Sequence, residues 1–136
     1  MDDGTIEPLL AAETVAIVGA SSTPGKAAHD VPAYLLEAGF DVQPVNPHAE
    51  SVLGRPAADD IRDVEKRQDL VTVFRPSEEA GGIVEAVLER PDEPNLWFQQ
   101  GIRNDEAADR ARDAGRTVVQ DRCMRTEHRR RAGQSS

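Results

Sequence analysis

Short apolar runs and amphipathic stretches alternate along this chain. Val15–Val18 is a continuous apolar run, the way a parallel strand buried on both faces reads. It belongs to a strand at Thr14–Val18, and further strands are predicted at about Asp41–Val45, Leu70–Phe74, Asn95–Gln99 and Thr117–Gln120. Pro44 is awkward inside a strand and predicts an end or an irregular position there. Between the strands, helical spacing places Val31, Leu35, Leu36 and Ala38 on one face of Ala27–Ala38, with Gly39 ending the helix. It also places Ile83, Val84, Val87 and Leu88 on one face of Glu78–Arg90, with Ser77 as N-cap. Asn104 caps an acidic-first helix over Asp105–Ala114. Thr5–Glu13 reads as a short helix or arm, Leu53–Pro56 as a turn with a short edge strand, and Ala57–Val64 as a short acidic helix. Met124–Ser136 is Arg-rich, then small and polar, and reads as a helix start that frays into a flexible tail over 131–136.

This alternation predicts an α/β fold: a doubly wound, Rossmann-like parallel sheet of five to six strands in three layers, spanning 14–130 after an arm at 1–13. Ligands of such sheets sit beyond the C-terminal strand ends, where the strand order reverses. The segments expected there are Gly19–Lys26, Asn46–His48, Phe74–Pro76, Gln99–Ile102 and Asp121–Met124.

A chain of 136 residues is one domain with room for a full core. No apolar stretch has the length of a membrane span, and the acidic start lacks the apolar run of a secretory signal. The net charge of −9 argues against broad nucleic-acid or anionic-membrane surfaces, so the Arg129–Arg131 run reads as solvated. The single cysteine, Cys123, rules out an intrachain disulfide and a Cys-based zinc cage and fits a reducing cytoplasm. Of 16 basic residues only Lys26 and Lys66 are lysines, against 25 acids. That balance is expected of a halophilic cytoplasm, where salt screens the self-repulsion of an acidic surface.

The stretch Thr14–Lys26, TVAIVGASSTPGK, is strand, small-residue turn and helix start: backbone N–H groups and a positive helix end that can hold a phosphate. It is not a Walker A loop. Gly19 and Gly25 have five residues between them, and Ala27 stands where the magnesium-binding hydroxyl belongs. A dinucleotide loop of the G-x-G-x-x-G kind is disfavoured by Ser21 and Pro24, and by Val45-Asn46 where an acid should meet the ribose. The Ser21 and Ser22 hydroxyls and the Lys26 charge still point to a pyrophosphate or clustered phosphate; the alternative is a tight connection without a ligand. No Ser-His-Asp order and no metal-ligand spacing of His29, His48 and His128 is readable.

Six blocks in series carry a family likeness: AIVGASSTPGK, VQPVNP, VLGRPA, DLVTVFRP, LWFQQGIRNDEAA and AGRTVVQDRCMRTEHRR. With them the chain resembles the small stand-alone CoA-binding proteins, whose fold is similar to the N-terminal domain of the succinyl-CoA synthetase alpha subunit. The resemblance implies that coenzyme A, free or acylated, is the ligand. It implies that Gly19, Ala20, Ser21 and Ser22 hold the pyrophosphate with Lys26 as a further contact, and that Asn46 and Pro47 border the adenosine. It places Phe74, Arg75 and Pro76 as a wall against the adenine or pantetheine, Gln99, Gln100 and Gly101 near the pantetheine end, and Asp121–Met124 on the far side. Cys123 is then either a small buried residue or a thiol beside that of CoA. The phosphohistidine domain of the synthetase has no counterpart here, so binding carries over and ligase chemistry does not. Three readings follow: a CoA-binding protein without catalytic residues of its own, the nucleotide-binding part of an acyl-CoA ligase assembled with partner chains, and an NAD-binding redox protein or sensor. A second copy of the chain or a ligase subunit are the protein partners this leaves open.

The charge balance carries its own test. Thermal unfolding in molar KCl should give a clearly higher midpoint than in salt-free buffer; an unchanged midpoint overturns the halophilic reading.

Overall fold

The computed structural model describes residues 3–134; residues 1–2 and 135–136, the outer ends of the expected arm and tail, lie outside the described residues. The elements are α1 (Asp3–Leu10), β1 (Thr14–Val18), α2 (Ala27–Glu37), β2 (Asp41–Val45), β3 (Ser51–Val52), β4 (Arg55–Pro56), β5 (Leu70–Val73), α3 (Ala80–Leu88), β6 (Asn95–Phe98), α4 (Asp105–Asp113), β7 (Val118–Val119) and α5 (Met124–Gln134).

Five strands form a parallel sheet in the order β2-β1-β5-β6-β7. The order reverses between β1 and β5, so the C-terminal ends of those two strands flank the crevice. Alternate residues of each strand go to opposite faces. Val15, Ile17, Leu70, Trp97 and Val119 pack with Ile6 and Leu9 of α1, Val31 and Leu35 of α2, and Met124 of α5. Ala16, Val18, Val71, Val73, Leu96 and Phe98 pack with Val84 and Val87 of α3 and with Ala107, Ala108 and Ala111 of α4. Trp97 is fully buried, and its indole N–H donates to the Arg122 carbonyl at 2.8 Å, as befits a core residue.

Pro44 lies inside β2 because β2 is an edge strand. Its carbonyl faces outward and accepts the Ala58 N–H at 3.1 Å, while the next carbonyl, Val45, accepts the Gly19 N–H at 3.0 Å. The missing N–H of Pro44 therefore falls on the outer side, where it breaks no bond to β1. Gly39 closes α2 at φ +103°, with its own N–H on the Leu36 carbonyl and the Phe40 N–H on the Leu35 carbonyl. This is a Schellman cap, which needs the left-handed conformation at that position.

Some expectations are corrected. Ala57–Val64 is not an α-helix: the Ala57 N–H bonds the Glu50 carbonyl and the Ala58 N–H the Pro44 carbonyl, so this backbone belongs to the β2 edge, and only Ile61–Asp63 forms a 3-10 turn, capped by Asp60. The short edge strand does not join the main sheet but pairs as the β3–β4 hairpin, through Leu53 (φ +56°) and Gly54 (φ +74°). Ser77 caps nothing: a 3-10 turn over Ser77–Glu79 precedes α3, and the Ser77 hydroxyl accepts the Arg103 N–H at 3.0 Å. Ala38 is exposed, and Pro32 takes its place on the buried face of α2. Asn104 caps α4 as expected, accepting the Ala107 N–H at 3.1 Å.

Asp69 pins the start of the sheet. Its carboxylate accepts the N–H groups of Glu13 at 3.0 Å and Thr14 at 3.2 Å, and its own N–H donates to the Thr14 hydroxyl at 2.8 Å. Burial pushes the Asp69 carboxyl up, but these backbone donors and Arg67 outweigh it and hold it below the ordinary 3.8. A depressed carboxyl stabilises the fold above its unfolded value and loses that contribution as pH falls through the folded value. Asp69→Ala should cost about 1–3 kcal/mol in urea unfolding at neutral pH. The gap to the unsubstituted protein should close only below about pH 4.

Candidate functional site

The crevice at the strand-order reversal is built around Gly19. This residue leaves β1 at φ +92°, in the left-handed region. A Cβ there would lie 2.9 Å from Cδ and 3.2 Å from Cγ of Arg75, so the stem of Arg75 lies directly across the turn. The Arg75 guanidinium reaches Glu79, Nε to Oε1 at 3.2 Å and Nη2 to Oε2 at 2.8 Å; this pairing holds the guanidinium above its ordinary value. A cleft of about 730 Å³ opens here, lined by Gly19, Val45, Asn46, Pro47, His48 and Arg75, by Asp59–Arg62, and by Glu78, Glu79 and α3. That volume lies within the roughly 300–1,000 Å³ of small-molecule sites.

The turn itself is held by hydrogen bonds traceable to particular residues. Pro32, one turn into α2, has no N–H to give the Ala28 carbonyl, and that carbonyl instead accepts the Ser21 N–H at 3.0 Å. The Ser21 hydroxyl accepts the Thr23 N–H at 3.1 Å, and the Asp30 carboxylate accepts the Gly25 N–H at 3.2 Å. His29 beside it, then the Gly25 N–H, hold the Asp30 carboxyl below its ordinary value. Asn46 clamps the turn from the far side, its Nδ2 donating to the Ala20 carbonyl at 2.8 Å and its Oδ1 accepting the His48 N–H at 2.7 Å. With these bonds made, the N–H groups of Ala20, Ser22, Ala27 and Ala28 and the Lys26 ammonium have no partner among the described residues. With Ala20 buried, the donors of Ser22, Ala27 and Ala28 and the Lys26 cation lie around the helix N-terminus and fit a phosphate-bearing ligand.

The expected site residues thus divide. Gly19, Asn46, Pro47 and Arg75 share the cleft. Ala20 is buried behind the turn, while Ser22 and Lys26 are exposed on it. Pro76 is exposed beside Arg75, and Phe74 turns into the core on the α2 and α5 side. Gln100 and Cys123 line a separate cavity of about 490 Å³ with Asp121, Arg122 and Thr126. Gly101 is exposed, its N–H bonded to the Asp121 carboxylate at 2.7 Å. Of the two glutamines, Gln99 points away from solvent: it is buried, and its Oε1 accepts the Met124 N–H at 3.3 Å at the head of α5.

Cys123 stands just before α5, its carbonyl accepting the Glu127 N–H. Burial pushes its thiol up, but hydrogen bonds from the side chain and N–H of Thr126, the Gln99 side chain and the Arg125 N–H outweigh this and hold it below the ordinary 9.0. No group of three His, Cys, Asp or Glu among the described residues could hold a metal ion.

Sequence reading missed Pro32 and Arg125. A proline at the sixth position of a helix was the available signal for the first. Arg125, on the first turn of α5, has a buried Nε without a hydrogen-bond partner among the described residues and lies within electrostatic reach of Asp30. Only the return of α5 across the sheet to α2 brings it there.

A doubly wound sheet with its cleft and open helix N-terminus at the strand-order reversal defines a Rossmann-like α/β domain. The model of the CoA binding domain family matches residues 13–129, and the chain belongs to that family. It is 37% identical over 122 residues to YneT, an uncharacterized protein of Bacillus subtilis, covering 90% of each chain. A hypothetical protein from Pyrococcus horikoshii is 36% identical, with a TM-score of 0.89 over 96% of this chain and 92% of that one. The fold also recurs in an acetyl-coenzyme A synthetase of Korarchaeum cryptofilum, at 23% identity and a TM-score of 0.70, over 83% of this chain and 27% of that one.

Gly19→Ala should destabilise by about 1–3 kcal/mol through the left-handed backbone strain and the contact with Arg75. Adding Arg75→Ala should recover the steric share but not the strain, which thermal unfolding of the two variants would separate.

Proposed function

We propose that this protein binds coenzyme A or an acyl-CoA in the cytoplasm and carries no catalytic residues of its own. The observation that carries the reading is the family match over 13–129, on a chain whose cleft opens beside a phosphate-type turn. In this reading the free N–H groups of Ser22, Ala27 and Ala28 take the pyrophosphate, with Lys26 as a point charge. Asn46 and Pro47 border the adenosine, with Arg75 and Pro76 as the opposite wall. Gln100, Gly101 and Cys123 lie towards the pantetheine end. Asn46 acts by holding the turn, since both ends of its amide are already bonded to backbone. The strand that would supply an acid for the NAD ribose ends in Val45 and this committed amide, which favours CoA over a dinucleotide.

A ligand that prefers the folded state raises the unfolding midpoint. In about 2 M KCl, CoA and 3′-dephospho-CoA should raise it, whereas NAD and ATP should raise it little or not at all. A shift with NAD alone overturns the reading, and so does no shift with any of the four. Lys26→Ala should weaken CoA binding about three- to tenfold without moving the midpoint of the free protein, because its ammonium has no partner to lose among the described residues.

A further inference from the structure

The cleft is unusual for an anion site in the company its cations keep. Two arginines line it, and each is already paired: Arg75 with Glu79 through two hydrogen bonds, and Arg62 with Glu89 at 2.7 Å and Asp60 at 3.7 Å. Asp59 and Glu78 line it as well. Arg75 is the cation whose stem crosses Gly19, so it is the one at the phosphate turn. Both members of its pair are half exposed, at 49% and 46%, so the pair is accessible to a ligand and weakly held.

We propose that Glu79 sets the affinity of this cleft for phosphate-bearing ligands by competing with them for Arg75. The inference rests on reading the cleft as a coenzyme A site. A carboxylate and a phosphate are the two anions that the planar guanidinium fork matches, and the same Nε and Nη2 edge serves either one. With Glu79 on that edge, a phosphate entering beside Gly19 meets either a neutralised arginine and a nearby negative charge, or an arginine that must first part from its carboxylate. Glu79 is thus a specificity-determining residue that acts through Arg75. It lowers affinity for phosphate ligands while leaving uncharged parts of a ligand unaffected.

Titration calorimetry with CoA on the full chain and on Glu79→Gln, Glu79→Ala, Arg75→Ala and the Arg75→Ala/Glu79→Gln pair tests this, with thermal unfolding confirming that each variant folds. Removing Glu79 should tighten CoA about fivefold, the scale of one exposed ion pair released. Arg75→Ala should weaken it, and Glu79→Gln on that background should add nothing. Pantetheine, which lacks phosphate, should respond to none of these changes. Unchanged or weaker CoA binding by both Glu79 variants overturns the inference and leaves the CoA site standing; a gain that persists without Arg75 replaces competition with direct repulsion, which also overturns it. If every variant folds and none binds CoA, the site reading itself falls and the inference with it.

Discussion

The end of β1 is tied on both sides at once, and the working edge of the molecule depends on it. The Gly19 N–H bonds the Val45 carbonyl of β2 at 3.0 Å, and the Phe74 N–H bonds the Val18 carbonyl at 2.9 Å. Those bonds bring the ends of three strands together where the sheet reverses its order. The chain must then leave β1 sharply enough to enter α2, which the left-handed conformation of Gly19 permits. The missing Cβ is what gives the Arg75 stem its place across the turn. Cleft, turn and arginine are consequences of one backbone junction.

Around that junction, hydrogen bonds that hold the loop are separated from those left free. Pro32 withholds an N–H from Ala28, the freed carbonyl takes Ser21, and Asp30 and Asn46 fix Gly25 and Ala20. A turn held through its carbonyls and a few of its donors presents the remaining donors in a set geometry, which lowers the ordering cost of binding at those donors. The helix interior gives up one bond at Pro32, and the loop gains it. A proline that looks like a defect in the helix is part of how the turn keeps its shape.

The same surface carries opposing electrostatic demands. An overall charge of −9 and carboxylates at Asp59, Asp60, Glu78 and Glu79 oppose an anionic ligand. The local donors of the turn and the start of α2 attract it. Local hydrogen bonds act at contact distance, whereas the net charge is screened over about 3 Å at molar salt. An acidic protein can therefore hold a phosphate ligand where salt is abundant, with the short-range donors deciding the outcome.

Burial on both faces made the core strands legible, because Val15–Val18 and Leu96–Phe98 are apolar without interruption and Leu70–Val73 is broken only by Thr72. Glycine and asparagine at element ends made the caps at Gly39 and Asn104 legible, since their signals act within a few residues. The small-residue turn after β1 could be read too, as it is set by residues that follow one another in the chain. Where backbone is claimed by a distant partner, sequence reading fails: Ala57 and Ala58 look helical but belong to the β2 edge, and Ser77 looks like a cap but serves Arg103. The clamp of Asn46 on Ala20 and the division of Gln99 from Gln100 were decided only by tertiary structure. Each depends on which loops meet at the strand ends and on which way a side chain turns there. The sequence alone determined the layers and the chemistry available at their edge; packing of the layers determined which of those groups remain free to bind.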